Sequence, residues 1–280
     1  MTQAGEHWSS RGVRRKRGPR LILASLAALV LAAGSGPVPA AAATDRLPDL
    51  RMPSPREFYF QYYNGEKRLR FTTYILNLGQ GPFKIEGRRA STAESTMTVR
   101  QRLYVTDGTS RSVATGAVMR YTGDGHDHWH AQRIATYELL KQTRTGLRPV
   151  LRDGNAVVGA KVGFCFFDTN PWDLSLPGAP GYRVYHESGC GVRSSLKASM
   201  GLSVGWSDKY PANFAFQWMN VAGLGGRYRV CVTVDRFGWF RESNNENNEA
   251  WADVSFTAAG SRVSVLATGT GSCGARSPAG

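Results

Sequence analysis

Along much of this chain apolar and polar residues alternate one for one, the period of a pleated strand with one buried face. Val99, Gln101, Leu103 and Val105 alternate with Arg100, Arg102 and Tyr104, which predicts a one-faced strand ending at Asp107-Gly108. Tyr228, Val230, Val232 and Val234 alternate in the same way with Arg229, Cys231, Thr233 and Asp235. Residues 58–63 and 69–76 flank Asn64-Gly65, a hairpin signal because the tight turn needs positive φ at both central positions. Residues 78–82 read as a turn before a short strand over 83–86, and 88–96 as a polar loop. Ser112 to Tyr121 and Ile134 to Leu140 have β character, and Val157 to Phe167 is a nearly continuous apolar run that predicts a buried strand. Residues 168–205 carry Pro, Gly and Ser with little periodicity and predict a long functional excursion. The Asn-rich stretch 241–248 reads as a solvated hairpin turn before a strand over 251–256, with calcium binding as the weaker alternative. No sustained 3.6-residue period or internal repeat is found, so the expected fold class is all-β, a sandwich-like domain with long loops.

The N-terminus departs from this pattern. Arg11, Arg14, Arg15, Lys16, Arg17 and Arg20 precede an apolar run from Leu21 to Ala33, and Ala41-Ala42-Ala43 offers a small-residue cleavage site. Thirteen apolar residues are short for a bilayer span, so residues 1–43 are expected to be a secretory signal peptide. Arg14-Arg15 lacks the apolar residues expected just after a twin-arginine pair, and the export route stays open. The expected organisation is therefore leader 1–43, one β domain over 44–273 and a disordered tail over 274–280. Removing the leader takes away six Lys/Arg and one acid, so 29 basic against 20 acidic side chains leave +9. That balance suits an anionic cell envelope or the extracellular space. No basic cluster interleaved with aromatics points to nucleic acid, and no stable membrane span is expected after cleavage.

Four cysteines, at 165, 190, 231 and 273, are an even count in a chain expected to be exported, so two disulfides are predicted. Of three possible pairings, Cys165–Cys190 with Cys231–Cys273 is preferred, because each joins a strand to a nearby later segment.

Candidate chemistry concentrates at His126-Asp127-His128-Trp129-His130, which holds three of the five histidines. On an extended strand, i, i+2 and i+4 share a face about 6.6 Å apart, so three imidazoles converge on one ion. Imidazole suits copper, zinc, iron or nickel, and three nitrogens leave a position open for water or substrate.

Four stretches in order then resemble the lysyl oxidase family of copper amine oxidases. They are His126 to His130 followed by Tyr137-Glu138-Leu139-Leu140; Gly159-Ala160-Lys161-Val162-Gly163-Phe164-Cys165 with Asp168-Thr169; Asp208-Lys209-Tyr210 with Gln217-Trp218; and the closing stretch from Tyr228 to Asn245. The resemblance spans roughly residues 47–273, in a compact bacterial form without a propeptide. It implies that His126, His128 and His130 bind copper and that Lys161 and Tyr210 fuse into lysine tyrosylquinone. A lysine amine is a nucleophile able to add to an oxidised phenol ring, and the resulting carbonyl supplies an electrophile that ordinary side chains lack. The implied activity is a secreted oxidase that converts primary amines, peptidyl lysine among them, to aldehydes with molecular oxygen, releasing ammonia and hydrogen peroxide.

One departure concerns the base. Ala131-Gln132-Arg133 carries no carboxylate where the resemblance leads one to expect an acid after the last histidine. Asp208, two residues before Tyr210 and on its face of an extended segment, is the candidate catalytic base, with His186 as a second candidate. Two other classes compete: a metal-binding sandwich module of the cell envelope that forms no quinone, and a zinc hydrolase using the same histidines.

Overall fold

The computed structural model describes residues 42–122 and 127–274, which form one compact unit. Nearly all of the leader predicted over 1–43, the ligand candidate His126 and all but one residue of the tail predicted over 274–280 lie outside them.

The regular structure of the described residues is almost entirely antiparallel β, as the alternation predicts, with no α-helix and one 3-10 turn at Glu187–Cys190. The Asn64-Gly65 hairpin forms as expected: strand Arg56–Tyr63 pairs with Glu66–Asn77, and the two turn residues have φ of 49° and 76°. One sheet runs from Gly163–Phe164 through Trp129–Gln132, Ser110–Tyr121, Thr96–Val105 and Phe83–Arg88 to Lys197–Leu202. A second is centred on Gly226–Val234, paired on one side with Ala135–Thr143 and on the other with Glu249–Phe256. A third gathers Trp206–Tyr210 and Trp218–Asn220 along the long Glu66–Asn77 strand. The inward faces of these sheets share one core. Edge-on aromatic contacts run from Phe71 to Tyr137, from Tyr137 to Phe164 and from Phe164 to Tyr210, joining the core to the candidate site.

Three sequence expectations change. The apolar run 157–167 is not one buried strand: only Gly163–Phe164 forms a strand, Val158 makes a single isolated bridge to Glu138, and Val158 and Val162 are about half exposed. The segment 168–205 is not all loop: Lys197–Leu202 is a six-residue strand on the edge of the first sheet. The Asn-rich stretch lies in the expected hairpin connection, with Arg241 and the residues from Ser243 to Glu246 exposed, but it is only partly solvated. Glu242 and Asn248 are buried, the Leu50 N–H donates to Glu242 Oε2 at 2.6 Å, and Asn247 Nδ2 donates to Asp49 Oδ1 at 3.0 Å. The stretch clasps the segment around Asp49 and Leu50, near the start of the described residues, to the body.

Both predicted disulfides form, Cys165–Cys190 across 25 positions and Cys231–Cys273 across 42. They are compatible with an oxidising compartment. Among the described residues no helix is long and apolar enough to cross a membrane.

Candidate functional site

His130 lies in the Trp129–Gln132 strand and His128 just before it. Their rings meet edge-on with Nε2 atoms 2.8 Å apart, as the i, i+2 spacing predicts for side chains on one face. Trp129 points the other way, fully buried, and its Nε1 donates to the Val192 carbonyl at 2.9 Å. That anchor fixes which face the histidines present. The opposite ring nitrogens also have partners: His130 Nδ1 lies 2.9 Å from Thr122 Oγ1, and His128 Nδ1 lies 3.5 Å from a carboxylate oxygen of Glu187. Such contacts orient imidazoles that bind metal through the other nitrogen. Sequence reasoning did not single out Thr122 or Glu187, because their only link to the histidines is through the fold.

The donor pair can be tested against a metal. Two nitrogens each about 2.0 Å from one ion are about 2.8 Å apart when they subtend a right angle, and about 3.3 Å apart at the tetrahedral angle. The observed separation is that of a hydrogen bond between the two rings, and it is close enough for both nitrogens to hold one ion. The third predicted ligand, His126, lies outside the described residues. Another trio, Cys231, Glu249 and Cys273, is close enough to share an ion, but both sulfurs are in a disulfide and offer no thiolate.

Lys161 is carried by a segment held on three sides. The Ala160 N–H donates to the Trp218 carbonyl, the Gly159 N–H to Tyr137 and the Arg133 N–H to Val162. Gly159 and Gly163 bracket the lysine for a steric reason. A Cβ on Gly159 would fall 2.6 Å from the Tyr137 ring, and one on Gly163 would fall 2.8 Å from the His130 Cβ. The buried Lys161 ammonium sits 5.1 Å from the ring centres of both Tyr210 and Phe164, where the π faces favour the cation. Lys161 and His130 line a common cavity of about 180 Å³, closed on another side by Phe216. Phe216 has a φ of 60°, a rare conformation for a bulky residue that here turns its backbone beside the cavity.

Tyr210 and Asp208 project from the Trp206–Tyr210 strand to the same buried side. Asp168-Thr169 positions that strand: Thr169 Oγ1 accepts from the Lys209 N–H at 2.7 Å and donates to the Ser207 carbonyl at 2.9 Å. The Asp168 carboxylate meanwhile accepts from the Val184, Tyr185 and Ser203 N–H groups and the Ser203 hydroxyl, tying down the excursion. The Tyr210 hydroxyl reaches the Cys165 carbonyl at 3.3 Å. Burial pushes the Asp208 carboxyl well above the ordinary carboxylate range, opposed by the Tyr210 hydroxyl, the Lys161 charge and the Phe167 N–H. Burial also raises the Tyr210 phenol, with the Asp208 charge adding to it. Asp208 Oδ2 is buried with no hydrogen-bond partner among the described residues. His186, by contrast, is exposed at the start of the 3-10 turn and makes no side-chain hydrogen bond among the described residues. The fold thus brings His128, His130, Lys161, Tyr210 and Asp208 into one region and leaves His186 at the surface.

Compared with known proteins, the chain matches no family model and no curated protein.

Proposed function

We propose that this protein is a secreted, lysyl-oxidase-like copper amine oxidase that turns primary amines into aldehydes. The overall stoichiometry consumes one amine, one O₂ and one water and yields one aldehyde, one ammonia and one hydrogen peroxide. The observation that carries the reading is the pairing of Lys161 with Tyr210. These residues stand 49 positions apart in the sequence, yet the ammonium lies 5.1 Å from the phenol ring centre and on the wall of the cavity that His130 lines.

In this reading His128 and His130, with His126, hold copper, which with oxygen supplies the oxidation that makes a quinone from Tyr210 and Lys161. The chain's own residues do the rest. Phe164 packs edge-on against the Tyr210 ring and limits its orientation. The neutral amine of Lys161 is the form able to add to a ring carbon, so the ammonium has to give up its proton first. Asp208 Oδ2 is the oxygen beside Lys161 and Tyr210 that could take up a proton once the carboxyl is ionised, and burial raises its affinity for that proton. Ala160, Val162 and Phe216 line the same cavity as Lys161 and His130.

Tyr210→Phe tests the reading through activity. The variant should keep copper, give no visible band with phenylhydrazine and release no peroxide from alkylamines. Wild-type peroxide release from Tyr210→Phe would overturn the oxidase reading and favour a metal-binding envelope module.

A further inference from the structure

The outward face of the first sheet carries far more positive than negative charge. Met97, Val99, Gln101 and Leu103 of the Thr96–Val105 strand are buried in the core, so Thr98, Arg100 and Arg102 point outward. The register places Lys84 and Arg88 from Phe83–Arg88, Lys197 from Lys197–Leu202 and Arg120 from Ser110–Tyr121 on that same face. Among the described residues of these strands, the six cations share the face with one carboxylate, Glu86. Lys84 and Arg102 stand directly opposite each other, and Glu86 bridges them at 3.4 and 2.9 Å. Arg88 and Lys197 also stand directly opposite each other, both exposed, with no carboxylate in ion-pair contact among the described residues. Like charges in that position destabilise a sheet, and an anion bound from outside would remove the repulsion. Arg100, exposed between the two pairs, is braced by Ser112, whose hydroxyl and carbonyl accept from its guanidinium.

We propose that this sheet face docks an acidic polysaccharide, whose carboxylates meet the arginines and lysines. The inference goes beyond the oxidase reading and does not depend on it. Charge complementarity selects a polyanion, and guanidinium groups offer paired, permanently charged donors to a carboxylate. The other side chains of the face select a sugar polymer. Thr96, Thr98 and Ser199 set hydroxyls between the cations, matching a hydroxyl-rich ligand. A nucleic acid calls for exposed rings on which bases stack, whereas Tyr104 on this face is half-buried beside Tyr185. A membrane surface calls for apolar side chains that enter the acyl boundary, and Val118 is the one large apolar residue exposed on the face among the described residues. The cations spread over roughly 20 Å along the strands and 14 Å across them, room for a stretch of polymer rather than one sugar. Arg120 stands opposite His130 on the next strand, so the face ends beside the candidate site.

The test is calorimetric binding of polygalacturonate to the full chain at low and high salt, with dextran, a single-stranded DNA oligonucleotide and phosphatidylglycerol vesicles as comparison probes. Polygalacturonate should bind at low salt and be released at high salt, because salt screens exposed charges, and dextran should not bind. K197E should weaken the binding about tenfold, the size of one lost charge-assisted hydrogen bond. The same variant should raise the thermal midpoint, because it turns the opposed Arg88–Lys197 pair into an ion pair. Lost affinity in K197E therefore cannot be put down to misfolding. R100E should also weaken binding, whereas R144E, the same charge change in the exposed turn after the Ala135–Thr143 strand, should leave it unchanged. An equal loss in R144E would reduce the effect to net charge and overturn the assignment to this face, as would full affinity in K197E and R100E. Tighter binding of the oligonucleotide or the vesicles, or no binding of polygalacturonate, would overturn the polysaccharide. None of these readouts involves amine turnover, so the oxidase reading stands or falls separately.

Discussion

The Gly163 backbone packs directly against the His130 side chain, so closely that a Cβ on Gly163 would lie 2.8 Å from the His130 Cβ and 3.0 Å from Gln132 Nε2. The lysine-bearing segment and the histidine strand are thus held in register by the absence of a side chain, and the antiparallel pairs Gly163 with Gln132 and Phe164 with Ala131 complete the contact. Gly163→Ala should therefore displace His130 as well as strain the sheet. The expected outcome is a loss of about 1–3 kcal/mol of stability together with weaker copper binding, measured by denaturant unfolding and metal titration. Full copper affinity in a destabilised Gly163→Ala protein would show that the contact is structural alone.

Copper binding should depend on what holds the imidazoles as well as on the imidazoles themselves. His128→Ala should lose stoichiometric copper after reconstitution. Thr122→Val, which removes the hydroxyl 2.9 Å from His130 Nδ1 while keeping the shape, should weaken affinity about tenfold or more. Metal titration against a competing chelator checks both. Unchanged affinity in Thr122→Val would mean that the Thr122 contact does not orient the ring.

The clasp formed by the Asn-rich stretch predicts a pH dependence of stability. Burial raises the Glu242 carboxyl from its ordinary value of 4.5 to about 8, with the nearby Asp235 and Asp49 charges adding to the effect and the Leu50 N–H and Asn248 amide opposing it. Burial likewise raises Asp235 from 3.8 to about 6. Between pH 4.5 and about 8 the folded chain binds more protons at Glu242 than the unfolded chain, so this contribution to stability falls as pH rises through that window. Glu242→Gln keeps a neutral group but loses one acceptor, since Glu242 accepts from Leu50 through Oε2 and from Asn248 through Oε1. It should cost about 1 kcal/mol at pH 5 and flatten the profile towards pH 8. Unfolding curves of the two proteins between pH 5 and 8 check this, and parallel profiles would contradict it.

Much of the fold was legible because its signals are local. The Asn64-Gly65 turn needs residues tolerant of positive φ, and the 96–105 and 226–234 strands bury alternate residues against the core. Residues 157–167 misled because an apolar run does not say whether its backbone bonds to a sheet. Here the carbonyls and N–H groups of Gly159, Ala160 and Val162 are used by Tyr137, Trp218 and Arg133, which holds Lys161 in place without a ladder. Lys197–Leu202 escaped notice because Gly201 and Ala198 give it little apolar period, although Met200 and Leu202 are fully buried. At the candidate site, the histidine spacing and the Asp208–Tyr210 alternation were visible in the sequence. Thr122 and Glu187 were not, since each acts through a partner distant along the chain or through a turn that the local sequence does not encode.

The most direct measurement for the account is the mass of the proteolysed protein after exposure to copper and oxygen. The account predicts one species in which the Lys161 and Tyr210 peptides are covalently joined, absent from Tyr210→Phe and from Lys161→Arg, whose guanidinium stays protonated and is a poor nucleophile. Separate, unmodified Lys161 and Tyr210 peptides from the fully copper-loaded, oxygenated wild-type protein would contradict it.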